Sequence, residues 1–185
     1  MRRVCSPAAP AVPEMKLPFL GVPLVSLLAA SAAVAAPPHE HGVARLDVAV
    51  EAGRITLMLE MPLDSLVGFE RAPRDEAERE AAKVALARLR DAARLFRADP
   101  AAQCKPAVAE IDGGPLTGGA SHDGHADADA SYTLECAAAE RAAFVDTGLL
   151  ESFPRLRIVN VQVATPKGQW KAMLSRPMTR LPLVR

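Results

Sequence analysis

Half of the 185 residues are apolar, 24% are charged, and 22 Lys and Arg balance 22 Asp and Glu to a formal charge of zero. That balance excludes a strongly basic nucleic-acid binder and an acidic disordered tail. With only 5 Phe, 1 Trp and 1 Tyr, the chain offers no aromatic platform for stacking bases or sugars, and Leu, Val, Ile and Ala must fill its core.

From Met15, Lys16 precedes an apolar stretch, Leu17 to Leu28, followed by small residues at Ala33, Val34 and Ala35. This is the layout of a secretory signal peptide. The stretch is about half of the ~20 residues that cross a bilayer, and Pro18 and Pro23 interrupt it, so no permanent membrane span is expected. The expected signal occupies residues 1–35, with Met15 as the true start and cleavage after Ala35. No Cys follows that cut to carry a lipid. The remaining residues 36–185 carry 19 positive and 21 negative charges. At about 150 residues they suffice for one domain, expected outside the cytosol, burying close to 70% of its chain surface.

Leu46, Val48 and Val50 alternate with Arg45 and Asp47, and Ile55, Leu57, Leu59 and Met61 alternate again after a turn at Glu51-Ala-Gly-Arg54. The pattern predicts a β-hairpin ended by Pro62. Pro73, the acidic turn of Asp75, Glu76, Glu78 and Glu80, and the later Arg90, Arg94 and Arg97 predict a helix over about 73–96. Its stripe of Ala82, Leu86, Leu89, Ala93 and Phe96 should pack on the sheet; half of that seam is Ala, too small for a coiled coil.

A strand at 107–111 and a strand carrying Tyr132, Leu134 and Cys136 should pair across a solvated loop, 112–130, rich in Gly, Asp and His. Cys104 and Cys136 lie on the two arms. An oxidising compartment favours their pairing, the alternative being two buried free thiols. A bridge closing 32 residues is worth roughly 3.7 kcal/mol in the chain-entropy model. A short helix over about 138–153 is expected before Pro154, then strands at 156–163 and 169–174 around Thr165-Pro-Lys-Gly168, with Trp170 anchoring the core. The order ββαββαββ predicts an α+β fold, an antiparallel sheet of hairpins with two helices packed on it.

All 4 histidines fall in two clusters, His39-Glu40-His41 and His122-Asp123-Gly124-His125. In an extended segment residues i and i+2 project to one side, so His39 and His41 can face one ion. HxxH spacing on a turn brings His122 and His125 together, with Asp123, Asp127 and Asp129 as further oxygen donors. Imidazole and carboxylate without thiolate suit Zn2+, and four imidazoles would complete a tetrahedral shell. The bland alternative is two solvated polar tips. Copper is less suited, because Pro37 and Pro38 have no N–H to give to an amine-and-amide copper site. Calcium lacks its loop spacing and terminal Glu. No GxSxG, no HExxH and no phosphate loop is present, so no enzyme is expected.

His39-Glu-His-Gly-Val-Ala-Arg-Leu-Asp-Val-Ala-Val50, Met61-Pro-Leu-Asp-Ser-Leu-Val-Gly-Phe-Glu70, Ser131-Tyr-Thr-Leu-Glu-Cys136, Phe153-Pro154 and Val163-Ala-Thr-Pro-Lys-Gly-Gln169 together resemble the ZrgA-like, zinc-regulated periplasmic proteins of Gram-negative bacteria. Most members are otherwise known only as a domain of unknown function. The resemblance implies a periplasmic accessory to zinc uptake, made under zinc starvation, that binds zinc through a His-rich insert and passes it to an importer. The insert falls where His122 and His125 lie, and two histidines there imply a single site rather than multi-zinc storage. The expected ligands are His39, His41, His122 and His125, with Asp123 as a substitute, in a monomer whose partners are importer components or other periplasmic proteins. The competing expectation is a metal-free interaction module for a transporter or envelope partner.

Overall fold

The computed structural model describes residues 40–105, 107–119 and 126–184. The expected signal peptide, its cleavage point, His39, His122, Asp123 and His125 lie outside the described residues. Strict alternation produces the first hairpin as read: β1 (Val43–Glu51) pairs antiparallel with β2 (Arg54–Pro62), Val48 opposite Leu57. Pro62 does not stop pairing, for it stands opposite Asp127 at the start of β5 (Asp127–Glu135). Proline lacks only the N–H, which a strand's last position can forgo. The arm β4 (Val108–Asp112) pairs with β5, as expected from the sequence, with Val108 opposite Thr133. β5 is longer than predicted: Asp127 and Asp129 are strand residues rather than loop donors, while Ala128 and Ala130 point into the core.

The last hairpin, β7 (Ile158–Thr165) with β8 (Gly168–Ser175), turns at Pro166-Lys167 as predicted. It does not extend an all-antiparallel sheet. β7 lies parallel to β1, Leu46 beside Val161, giving a six-stranded order β4-β5-β2-β1-β7-β8. Both strands alternate with the same phase, and that phase is all that pairing register needs in order to keep one face apolar. Trp170 is half-buried at the rim of the core rather than anchoring it, because β8 is the edge strand.

The expected continuous helix is broken. It runs as α2 (Glu76–Arg90) and α3 (Ala92–Leu95), after a short α1 (Leu63–Val67) that the sequence pattern did not predict. Asp75 caps α2, its carboxylate accepting from the Glu78 N–H at 2.8 Å. Asp91 ends α2 and caps α3, its carboxylate accepting from the Arg94 N–H at 3.3 Å. Short acidic side chains compete with helical hydrogen bonding and favour such ends. Ala82, Leu86 and Leu89 bury the predicted stripe, but after Asp91 the buried positions become Ala92, Leu95 and Phe96, leaving Ala93 exposed.

Phe96 opens β3 (Phe96–Ala98), which pairs with β6 (Phe144–Thr147), itself paired with β9 (Arg180–Pro182) in a second, three-stranded sheet. The predicted helix over 138–153 is thus overturned. Its centre is strand β6, and only α4 (Leu149–Ser152) is α-helical. The alanines end at Ala143, after which Phe144 and Val145 favour strand and Gly148 interrupts any helix. The described residues therefore hold nine strands and four α-helices, an α+β fold with mostly antiparallel strands. One contiguous core joins the inner face of the large sheet to α2, α3, α4 and the small sheet.

Cys104 and Cys136 are joined by a disulfide and by an isolated antiparallel bridge just beyond β5, where the Cys136 N–H donates to the Gly53 carbonyl at 2.8 Å. The crosslink clamps the end of the sheet at the β1–β2 turn.

Candidate metal centre

The opposite end of the sheet gathers the polar residues singled out by the sequence. β1 begins there, and Glu40, His41 and Gly42 enter it through a turn closed by the Val43 N–H donating to the Glu40 carbonyl at 3.0 Å. The Gly42 N–H and the carbonyls of His41 and Gly42 are tied down as well. The Gly42 N–H donates to Ser65 Oγ at 3.0 Å, inside a buried pocket under α1. The Gly42 carbonyl accepts from the N–H groups of Arg157 and Ile158 at 2.8 and 3.0 Å. Arg157 Nη2 donates to the His41 carbonyl at 2.7 Å. Gly42 has φ +81°, and a Cβ there would stand 2.5 Å from Arg157 Nε, so both conformation and space require glycine.

This fixed backbone aims the His41 ring between two carboxylates. Nδ1 lies 3.8 Å from Asp64 Oδ2, and Nε2 lies 3.2 Å from Glu70 Oε1. The ring is 64% exposed, whereas both carboxylates are 28% exposed. Asp64 sits in the first turn of α1, and Gly68, with φ +88°, ends that helix by donating its N–H to the Asp64 carbonyl at 2.9 Å. Glu70 is held from the other side. The next residue, Arg71, forks onto Glu78 of α2 at 2.6 and 2.7 Å and lies 5.0 Å over the Phe69 ring. Those Arg71 bonds, with the Arg74 N–H at 2.7 Å, hold the Glu78 carboxyl down to about 2.

Chemically the arrangement is an exposed imidazole between two carboxylates, in contact distance of one of them. A carboxylate on one ring nitrogen fixes tautomer and orientation while the other nitrogen ligates. The His41–Glu70 spacing of 3.2 Å is that of a direct imidazole–carboxylate contact, and it puts two zinc-type donors side by side. Asp64 faces the opposite ring nitrogen, beyond hydrogen-bond distance at 3.8 Å. Among the described residues no group of three or more His, Cys, Asp and Glu side chains is arranged to hold a metal ion. The described residues bring two donor-type side chains, His41 and Glu70, into contact distance.

Of the predicted ligands only His41 is among the described residues. Sequence reasoning missed Asp64 and Glu70, although both lie in the Met61–Glu70 stretch that carried the family resemblance. Topology bears on the second cluster through its attachment. The chain leaves β4 at Asp112 and enters β5 through Ala126, whose carbonyl accepts from the Leu63 N–H at 2.9 Å, one residue before Asp64. β1 and β5 flank β2 on either side, so the segments leading to the two strands meet the sheet at the same end, about 10 Å apart.

Among the described residues no helix is long and apolar enough to cross a membrane. A search of curated proteins finds no match. Comparison with known protein families matches residues 38–183, from the segment before His41 to the last core residue, to the ZrgA family zinc uptake protein. With four fifths of its length so matched, and an imidazole flanked by carboxylates at the end of its sheet, this chain belongs to the ZrgA family and has a role in zinc uptake.

Proposed function

We propose that the protein is a periplasmic zinc-binding accessory, exported by the signal peptide over residues 1–35, that captures Zn2+ and passes it to an importer. It acts as a monomeric carrier and not as an enzyme. The observation that carries this reading is His41, held between two carboxylates with its Nε2 3.2 Å from Glu70 and its Nδ1 3.8 Å from Asp64. His39, two residues before His41, and His122 and His125, in the segment that ends at Ala126, are the imidazoles from which the positions left beside His41 are filled, with Asp123 or Glu70 as a substitute. The shared end of the sheet supports their convergence, since about 10 Å between attachment points is within the span of two or three residues. A donor set of imidazole and carboxylate favours zinc over softer ions.

Zinc titration of the purified exported protein against a competing chromogenic chelator tests this. One zinc per chain is expected, with His41→Ala weakening binding by tenfold or more and His39→Ala and His122→Ala each weakening it. A wild-type protein that takes up no zinc at neutral pH would overturn the proposal in favour of a metal-free module docking a transporter or envelope partner.

A further inference from the structure

We propose that the open face of the large sheet, where β4, β5, β2 and β1 lie side by side, docks a basic segment of a partner protein that carries an apolar residue to Met58. Alternation turns one side of these strands into the core and leaves the other facing outward. Register puts like charges directly opposite one another on that outer side. Asp112 of β4 stands against Asp129 of β5, and Asp129 against Glu60 of β2, so three carboxylates run in line across three strands before Arg45 of β1 ends the row opposite Glu60. In the neighbouring row Glu110 of β4 stands against Ser131, Ser131 against Met58, and Met58 against Asp47. Like charges directly opposite destabilise a sheet, and a face that had only to be wetted would do as well with neutral or mixed side chains.

Met58 is 61% exposed although β2 is paired on both sides. Two hollows of about 450 and 460 Å3 share Asp47 and Met58 in their walls, one reaching Gln162 and Lys171, the other Glu110 and Asp112. Where they meet, Asp47 Oδ1 is buried and has no hydrogen-bond partner among the described residues, a state that buried oxygens rarely keep. A flexible thioether that can swing aside, a carboxylate oxygen short of a donor and a row of carboxylates suit a Lys or Arg side chain entering beside an apolar one. The same charges disfavour a nucleic acid, an anionic lipid surface and the same face of a second copy, each of which would set negative charge against negative charge. None of these groups is among the proposed zinc ligands.

The test uses a labelled peptide of alternating Lys and Leu as the probe, its fluorescence anisotropy followed as purified exported protein is added without zinc. Binding is expected, weakening as salt rises. A peptide of alternating Lys and Ser should bind tenfold or more weaker. Glu110→Gln combined with Asp112→Asn should weaken the Lys–Leu peptide by tenfold or more. Glu76→Gln combined with Glu80→Gln makes the same change of charge on α2 and should leave that binding within about twofold of wild type. Met58→Ser should weaken the Lys–Leu peptide and leave the Lys–Ser peptide as it was. All five positions are exposed, and unchanged melting curves would confirm that the variants fold. Equal weakening by the α2 pair, no effect of the β4 pair, or a Lys–Ser peptide bound as tightly as the Lys–Leu one would overturn the docking surface. So would self-association of the wild type that the β4 pair abolishes, since the occupant would then be a second copy. A wild type that takes up no zinc would overturn the zinc reading and leave this surface standing.

Discussion

Around His41 the backbone is tied down by Arg157, while the ring has Glu70 at 3.2 Å from Nε2 and Asp64 at 3.8 Å from Nδ1. Asp64 and Glu70 consequently do different work, and their variants should separate. Glu70→Gln removes an anionic donor and should weaken zinc by more than tenfold. Asp64→Asn removes a negative charge 3.8 Å from Nδ1, with no hydrogen bond to lose, and should cost less than tenfold. Equal and negligible losses in competition titrations would mean that the two carboxylates only solvate the ring. The glycine beneath the histidine is open to the same kind of comparison. Gly42 and Gly118 both have positive φ, +81° and +88°, yet a Cβ on Gly118 meets nothing within 4 Å while one on Gly42 strikes Arg157. Gly118→Ala should cost about 1–2 kcal/mol of conformational energy alone. Gly42→Ala should cost more and also weaken zinc, because displacing Arg157 releases the His41 carbonyl.

At the scale of elements, the breaks matter more than the elements. α2 ends at Arg90, so the Leu89 carbonyl is one of the last-turn acceptors a helix cannot satisfy itself. The Tyr132 hydroxyl of β5 donates to it at 2.9 Å, in full burial, with the Phe96 ring 4.7 Å away edge-on. Burial of the Tyr132 phenol raises its pKa well above the ordinary tyrosine range. Tyr132→Phe should therefore destabilise by roughly 1–3 kcal/mol in denaturant melts, a large effect for one oxygen. The α1–α2 connection is pinned by Glu78 instead, and its contribution depends on pH. Hydrogen bonds from Arg71 and then Arg74 depress the folded-state value to about 2, below an unfolded value of about 4.3. Stability from this contact is complete above the unfolded value and is lost as pH falls through the folded one. The melting temperature of Glu78→Gln should lie below wild type at neutral pH and converge with it near pH 2. A gap that persists in acid would mean that the contact acts through packing rather than charge.

These same breaks mark where the sequence stopped being legible. Period-two alternation in 43–50, 55–61, 158–163 and 169–174 was sufficient for both hairpins because each is local and each turn carries its own Gly or Pro. The parallel contact of β1 with β7 was not, since any two strands with a buried face satisfy the same pattern and their distance along the chain exceeds 100 residues. Ala138–Ala143 read as helix on propensity alone, and the pairing of Val145 with Leu181 and Ala98 overrode it. The site was half legible. Histidine clustering pointed at His41, but Asp64 and Glu70 are ordinary acidic residues until α1 and the Arg71–Glu78 fork place them against the ring.

The whole molecule separates stability from binding along one axis. β5 runs from Asp127, at the end of the sheet where β1 begins, to Glu135, beside the disulfide, a span of roughly 27 Å at a strand's rise. The Cys104–Cys136 bond shortens the unfolded chain's freedom by closing 32 residues and touches none of the groups that hold His41. Replacing both cysteines with Ser should remove roughly 3.7 kcal/mol, equivalent to about 10 °C in a domain of this size. Zinc affinity measured well below the new melting point should stay within about threefold of wild type, since sites so far apart with no shared partners act independently. A matched loss of zinc affinity in the folded, reduced-framework protein would show instead that the crosslink sets the geometry at the far end of the sheet. In that case the centre would depend on the redox state of the compartment, and the carboxylates flanking His41 would not suffice to preorganise it.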